Sequence, residues 1–204
     1  MSSYIIKGGG KIEGDVTISG SKNAALPIIA GCILNKGKTT LYNVPNIHDT
    51  QMMYEIIKIL GGKVEKKKNK VIIDTKNIEK FEIPDILMHK MRSSVIIVGA
   101  ILSRYKKATF SYPGGCDIGA RPIDLHLKAF EKLGINITKN HGEITCECLE
   151  KGVIGNKIDL DFPSVGATEN IILSSVLAKG TTIITNAARE PEILDLQNFL
   201  NKMG

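Results

Sequence analysis

Lys22-Asn23-Ala24-Ala25-Leu26-Pro27-Ile28-Ile29-Ala30-Gly31-Cys32-Ile33-Leu34 is the stretch on which the fold turns. Ser21-Lys22-Asn23 supplies capping chemistry for a helix that runs to about Leu34, and Pro27 is tolerable there if it lies in about the first turn. From Ala24 onward no face of this helix is polar. A helix without a polar face has to be covered on all sides, so it belongs inside the molecule. Residues 94–102 and 171–178 have nearly the same character, Ser174 and Ser175 aside.

Each apolar helix is followed by a turn, a short strand and a helix of a different kind. The strands carry Thr39-Thr40-Leu41, Ala108-Thr109-Phe110 and Thr181-Thr182-Ile183. The later helices, over about 53–60, 125–133 and 194–200, are amphipathic, and they end at Leu60-Gly61, Leu133-Gly134 and Met203-Gly204. The unit therefore recurs at a period of about 70 residues, an internal triplication. Strand pairs follow the first two amphipathic helices, Gly62-Lys63-Val64-Glu65 with Val71-Ile72-Ile73-Asp74, and Ile135-Asn136-Ile137-Thr138 with Glu143-Ile144-Thr145-Cys146. A helix-ending glycine at 204 normally leads onward, so the third unit reads as incomplete. Ile12-Glu13-Gly14-Asp15-Val16-Thr17-Ile18 alternates apolar and polar residues and is expected to be a half-exposed strand. With alternating strands and all-apolar helices, the sheets should face water and the helices form the centre, the reverse of an ordinary α/β barrel. The expected units are about 21–80, 81–152 and 153–204, within one domain over 21–204, and residues 1–20 stand apart from it.

Composition narrows the function. The 204 residues are 43% hydrophobic and 5% aromatic without tryptophan, an ample and mostly aliphatic core. A net charge of +6 and a pI near 9.1 favour an anionic partner. The lysines between 63 and 70 fall in a hairpin turn with no interleaved aromatic residue, so nucleic acid is not the expected partner. The longest apolar run, residues 95–102, is too short for a membrane span. Cysteines at 32, 116, 146 and 148 have no zinc-like spacing, and no metal site is expected. Nothing at the N-terminus reads as a secretion signal, and a reduced, cytoplasmic protein is the simplest expectation.

Chemistry concentrates in Pro113-Gly114-Gly115-Cys116-Asp117-Ile118-Gly119-Ala120-Arg121-Pro122. Three glycines make this an exposed loop, a poor place for a packing cysteine. Arg121 and the positive end of the helix that follows would both favour the Cys116 thiolate. Composition leaves two readings open, a reactive thiol and an incidental loop cysteine. Residues 114–119 have the outer spacing of a phosphate loop, but Ala120-Arg121 stands where Lys-Ser/Thr is needed. Lys22 and Arg92 occupy matching places at the starts of the first two apolar helices, with Ser164-Val165-Gly166-Ala167-Thr168 in the third, so three helix N-termini would make one anion-receptive end.

Taken together, Ser21-Lys22-Asn23-Ala24-Ala25, Met91-Arg92-Ser93-Ser94, Pro113-Gly114-Gly115-Cys116, Ile118-Gly119-Ala120-Arg121-Pro122, Asp124-Leu125-His126, Ser164-Val165-Gly166-Ala167-Thr168 and Ala187-Ala188-Arg189-Glu190-Pro191-Glu192-Ile193 resemble the UDP-N-acetylglucosamine enolpyruvyl transferases. The resemblance runs along the whole chain and covers about the first half of a family member. It implies the inside-out α/β barrel of that family, two such domains closing on their substrates, and residues 1–20 associated with the second one. It also implies transfer of the enolpyruvyl group of phosphoenolpyruvate to the 3-hydroxyl of UDP-N-acetylglucosamine, in peptidoglycan synthesis, without metal or organic cofactor.

By motif, Lys22, Asn23 and Arg121 would bind phosphoenolpyruvate, and Cys116 would be the catalytic acid and the thiol modified by fosfomycin. Asn23, Arg92, Arg121, Pro122, Ile123, Asp124, Leu125, Ser164, Val165 and Gly166 would line the UDP-sugar site. Phe162 stands where some members carry a lysine near the nucleotide. The family's aspartate base and closing arginines would lie in a C-terminal half beyond Gly204, so this chain alone is expected to be inactive. A non-catalytic nucleotide-sugar-binding or regulatory module of the same fold is the alternative.

Overall fold

The computed structural model describes residues 3–113 and 123–204. Helix α1, Lys22–Gly31, is capped by Ser21, whose Oγ accepts the Ala24 N–H at 3.4 Å, and it runs on into a 3-10 turn, Cys32–Leu34. Pro27 sits in the second turn, deeper than expected. Its missing N–H leaves the Asn23 carbonyl without its intrahelical donor. Strand β1, Lys38–Tyr42, and helix α2, His48–Ile59, follow. Next come β2, Lys63–Lys67, and β3, Lys70–Asp74, then α3, Asp85–Lys90, and a 3-10 turn, Arg92–Val95, that leads into α4, Ile96–Tyr105. Strand β4, Lys107–Ser111, helix α5, Asp124–Lys132, and strands β5, Ile135–Asn140, and β6, Glu143–Cys148, repeat that order. The rest is β7, Lys157–Asp159, α6, Val165–Ser175, β8, Ile183–Thr185, and α7, Pro191–Met203.

The architecture is α/β with helices inside. The first two sheets are antiparallel with orders β1-β3-β2 and β4-β6-β5, so in each the second strand of the hairpin is central. The third, β7-β8, is a parallel pair, Lys157 facing Ile183. The three sheets are separate, and no closed barrel forms among the described residues. Helices α1, α4 and α6 pack on one another in the middle, and every residue of α4 from Ile96 to Leu102 is buried. Helix α6 starts at Val165 rather than near 171 and takes in Glu169 and Asn170, the polar pair that precedes its apolar half.

The strand expected over residues 12–18 is not formed. Residues 3–20 carry neither helix nor strand, and Ile12 is 97% exposed. Alternation supplies a strand's side-chain pattern, but only a neighbouring strand supplies its hydrogen bonds, and among the described residues none lies alongside. Among the described residues no helix is long and apolar enough to cross a membrane.

The α4–α6 crossing is the tightest point of the centre. A Cβ on Gly99 would fall 2.4 Å from both the carbonyl oxygen and Oδ1 of Asn170. Asn170 Oδ1 accepts the Gly99 N–H at 2.7 Å, and its Nδ2 donates to the Val95 carbonyl at 2.9 Å. Those are the two groups that an undisturbed helix would join to each other, so the side chain of α6 inserts into the ladder of α4.

At the other end of α4, Arg104 holds three carbonyls. Its Nη1 donates to Ile33 at 2.7 Å and Asn35 at 3.3 Å, and its Nη2 to Thr75 at 2.9 Å. One planar cation thus closes the end of the α1 segment and the end of β3. Replacing Arg104 by Met should lower stability by about 2–3 kcal/mol, because carbonyls turned away from water lose charged donors. Arg104→Lys should recover only part of that, since an ammonium cannot span the fork. The midpoint of urea unfolding measures both, and an unchanged midpoint in Arg104→Met would refute the role.

Candidate functional site

Helices α1 and α6 begin alike. Ser21-Lys22-Asn23-Ala24 and Ser164-Val165-Gly166-Ala167 each place a serine at the cap and an N–H acceptor bond three residues on, 3.4 Å to Ala24 and 3.3 Å to Ala167. Neither helix has an acidic residue in its first turn, so the positive ends of both macrodipoles are left uncompensated within their own helices. That is the local chemistry of an anion-receptive helix end.

The two ends open onto one cavity of about 290 Å³. Asn23, Ser164, Val165 and Gly166, all expected site residues, line it. Ser93 brings the 3-10 turn ahead of α4 into the same wall, next to Arg92, whose side chain lies outside the described residues. Ile123 and Asp124 lead into α5, the first buried and the second exposed, and neither borders this cavity. Leu125 faces a different hollow, formed with Lys128 and the strand β7. Cys116, Arg121 and Pro122 lie outside the described residues. Phe162 is exposed two residues ahead of the Ser164 cap, and its carbonyl accepts the Ser164 N–H at 2.7 Å.

Two of the expected anion ligands are held by carboxylates. Lys22 forms an ion pair with Asp49, from the first turn of α2. Asn23 Nδ2 donates to Glu192 Oε1 at 3.3 Å, reaching across to α7. These contacts fix where the lysine and the amide stand, and an incoming anion shares or displaces them.

The remaining wall was not foreseen. His126, on α5, lies beside Gly166, and its Nδ1 is 3.0 Å from Asn170 Nδ2. Since that amide nitrogen can only donate, Nδ1 accepts, and a neutral ring carries its proton on Nε2. Glu169 is 2% exposed and also lines the cavity. Burial first, then the charges of Glu192 and Glu190, push its carboxyl up to about 8. Thr168 secures this arrangement from behind, its Oγ1 accepting the Ala188 N–H at 3.0 Å, which holds the segment leading to Glu190 against α6. A signal for Glu169 and Asn170 was present, two polar residues adjoining an apolar helix, but reading that helix from 171 cut them off.

The described cysteines are elsewhere. Cys32, Cys146 and Cys148 are buried and unpaired. Burial pushes Cys32 and Cys146 up to about 12 and Cys148 up to about 11.

The family model of EPSP synthase (3-phosphoshikimate 1-carboxyvinyltransferase) matches residues 6–204. The chain is 50% identical over 204 residues to UDP-N-acetylglucosamine 1-carboxyvinyltransferase 2 of Caldanaerobacter subterraneus subsp. tengcongensis, covering 100% of this chain and 48% of that protein. It is 50% identical over 206 residues to UDP-N-acetylglucosamine 1-carboxyvinyltransferase 1 of Clostridium acetobutylicum, covering 100% and 49%. In fold alone it resembles the enolpyruvyl transferase NikO from Streptomyces tendae, with a TM-score of 0.82 at 20% identity over 97% of this chain and 46% of that one. EPSP synthase from Acinetobacter baumannii follows with a TM-score of 0.65 at 19% identity, over 87% and 41%. The chain spans about half the length of the curated relatives it matches.

Proposed function

The chain belongs to the EPSP synthase (3-phosphoshikimate 1-carboxyvinyltransferase) family, and from that premise we propose that it supplies one half of an enzyme that transfers the enolpyruvyl group of phosphoenolpyruvate to the 3-hydroxyl of UDP-N-acetylglucosamine, releasing phosphate. Relatives that bear the name of this activity, at 50% identity, favour this acceptor over a shikimate. The observation that carries the reading is the cavity between the two serine-capped helix N-termini, where Asn23, Ser164, Val165 and Gly166 converge.

In this reading Lys22, Asn23 and Arg121 hold phosphoenolpyruvate, whose phosphate and carboxylate need fixed cations. Cys116 is the acid that delivers a proton to the methylene carbon. Arg92, Arg121, Pro122, Ile123, Asp124, Leu125 and the 164–166 turn receive the UDP-sugar, so Asp124 and Leu125 serve the nucleotide end, away from the cavity. The base that accepts the sugar hydroxyl proton comes from the part of the relatives this chain does not match, and that second half also closes over the substrates. Acid and base must flank the same reacting atoms, so neither half alone turns over.

The finer architecture follows the same reading: an inside-out barrel of three related units over about 21–204, supported by central α1, α4 and α6 and by the shared strand order of the first two sheets. Residues 1–20, of which 3–19 are exposed and 3–20 carry no regular structure, belong with the second half. The setting is cytoplasmic peptidoglycan synthesis, and fosfomycin is the expected inhibitor.

A phosphate-release assay tests the proposal. The 204-residue chain alone should be silent. Mixed with a polypeptide covering the unmatched half of the relatives, it should release phosphate only when both substrates are present, and Lys22→Ala should cut that rate by at least about a hundredfold, the scale of a lost positioned cation. Binding of UDP-N-acetylglucosamine without any release from the mixture would favour a non-catalytic module instead.

A further inference from the structure

Of the two acidic side chains that line this cavity, Glu192 holds Asn23 and Glu169 is left without a task. The residue is 2% exposed and lines the cavity at the helix ends, and among the described residues its carboxyl has neither a hydrogen-bond partner nor an ion pair. The groups facing it are Asn23 from α1, Glu190 and Glu192 at the start of α7, and His126 from α5. Asn23 is turned to Glu192, His126 Nδ1 to Asn170, and Lys22 to Asp49. A carboxylate this buried, close to two others and with no counter-charge among the described residues, is costly, whereas the neutral acid there costs little and has one O–H to give. Its nearest open space is the cavity.

We propose that Glu169 is a ligand-contacting group of this cavity: as the neutral acid it donates a hydrogen bond to an oxygen of the sugar portion of the bound nucleotide sugar. The assignment rests on the function proposed above for the ligand's class. Its chemistry fits that class, because a sugar with its N-acyl group offers oxygen acceptors while the cavity already carries donors, the Asn23 amide and the N–H groups of α6. Ionised, Glu169 would lose its donor and face the ligand's acceptors with negative charge, so binding should weaken as the proton leaves. Burial and the two neighbouring glutamates place that loss near pH 8. The sign also appears in stability. The folded carboxyl binds its proton more tightly than an unfolded one at about 4.5, so stability falls as pH rises from there to about 8 and levels off above it.

Calorimetric titration of the 204-residue chain with UDP-N-acetylglucosamine at pH 7 and pH 9 tests this. Affinity of the unmodified chain should fall about tenfold between the two, the consequence of one required proton leaving near pH 8. Glu169→Gln, which keeps a donor and cannot ionise, should bind within about threefold of the unmodified chain at pH 7 and lose most of the fall. Glu169→Leu should bind weakly at both. A thermal midpoint for Glu169→Gln that exceeds the unmodified chain's at pH 9 shows that the variant is folded and that the carboxyl titrates. Binding whose pH profile is the same in the unmodified chain and Glu169→Gln would overturn the role of Glu169 and leave the ligand class standing. No binding at pH 7 by the unmodified chain, either alone or mixed with the polypeptide covering the unmatched half of the relatives, would overturn the ligand class and this role with it.

Discussion

Gly99→Ala should lower the thermal midpoint by about 5–10 °C, and Gly99→Val should leave little folded protein. In an exposed helix the alanine change would stabilise by about 1 kcal/mol, since glycine is the poorer helix former. Here the new methyl group meets the Asn170 backbone oxygen and its Oδ1 at 2.4 Å, and neither can withdraw cheaply. The backbone oxygen belongs to α6, and Oδ1 is bonded to the Gly99 N–H. Forcing the helices apart costs about 1–3 kcal/mol as overpacking, and loosening the Asn170 amide adds about 1–3 kcal/mol for buried partners left unpaired. The steric loss therefore exceeds the propensity gain. At about 2–4 °C per kcal/mol for a domain of this size, the net is a clear shift in a melting scan. A rise in the midpoint of Gly99→Ala would show that α4 and α6 are not this close.

Cys116 should be the cysteine that fosfomycin labels, at least about a hundredfold faster than Cys32, Cys146 or Cys148 at pH 8. The thiolate is the nucleophile, and a cysteine at its ordinary value is about one quarter thiolate at that pH. Burial leaves Cys148, raised to about 11, on the order of one part in a thousand ionised, and Cys32 and Cys146, raised to about 12, about tenfold less. Their burial also denies the reagent access. On the 204-residue chain the reaction should be slow even at Cys116, because closure by a second half is part of the proposed site. Peptide mass mapping over time, with Cys116→Ala as control, measures the ratio. Labelling at Cys32, Cys146 or Cys148 at a comparable rate would remove the assignment.

The amino-acid sequence by itself determined the secondary structure of the centre and the local chemistry of the helix ends. All-apolar α1 and α4 and their amphipathic successors α2 and α5 could be read because hydrophobic periodicity is a local property, set by which faces must leave water. The same is true of the serine caps, where side chain and N–H are three residues apart. The family could also be read, since its motifs are contiguous runs of residues. Tertiary structure decided what depends on partners distant in the chain. Residues 12–18 have a strand's pattern but no strand beside them among the described residues, so pattern alone could not make them one. Asn170 reaches into the ladder of α4 across 71 residues, and Asn23 meets Glu192 across 169. Glu169 adjoins an apolar stretch in sequence, but nothing local says that its carboxyl is buried. Only the folding of α1, α5 and α7 around it takes away its water and sets it beside Glu190 and Glu192, and a proton's affinity is fixed by that surrounding medium rather than by the residue type.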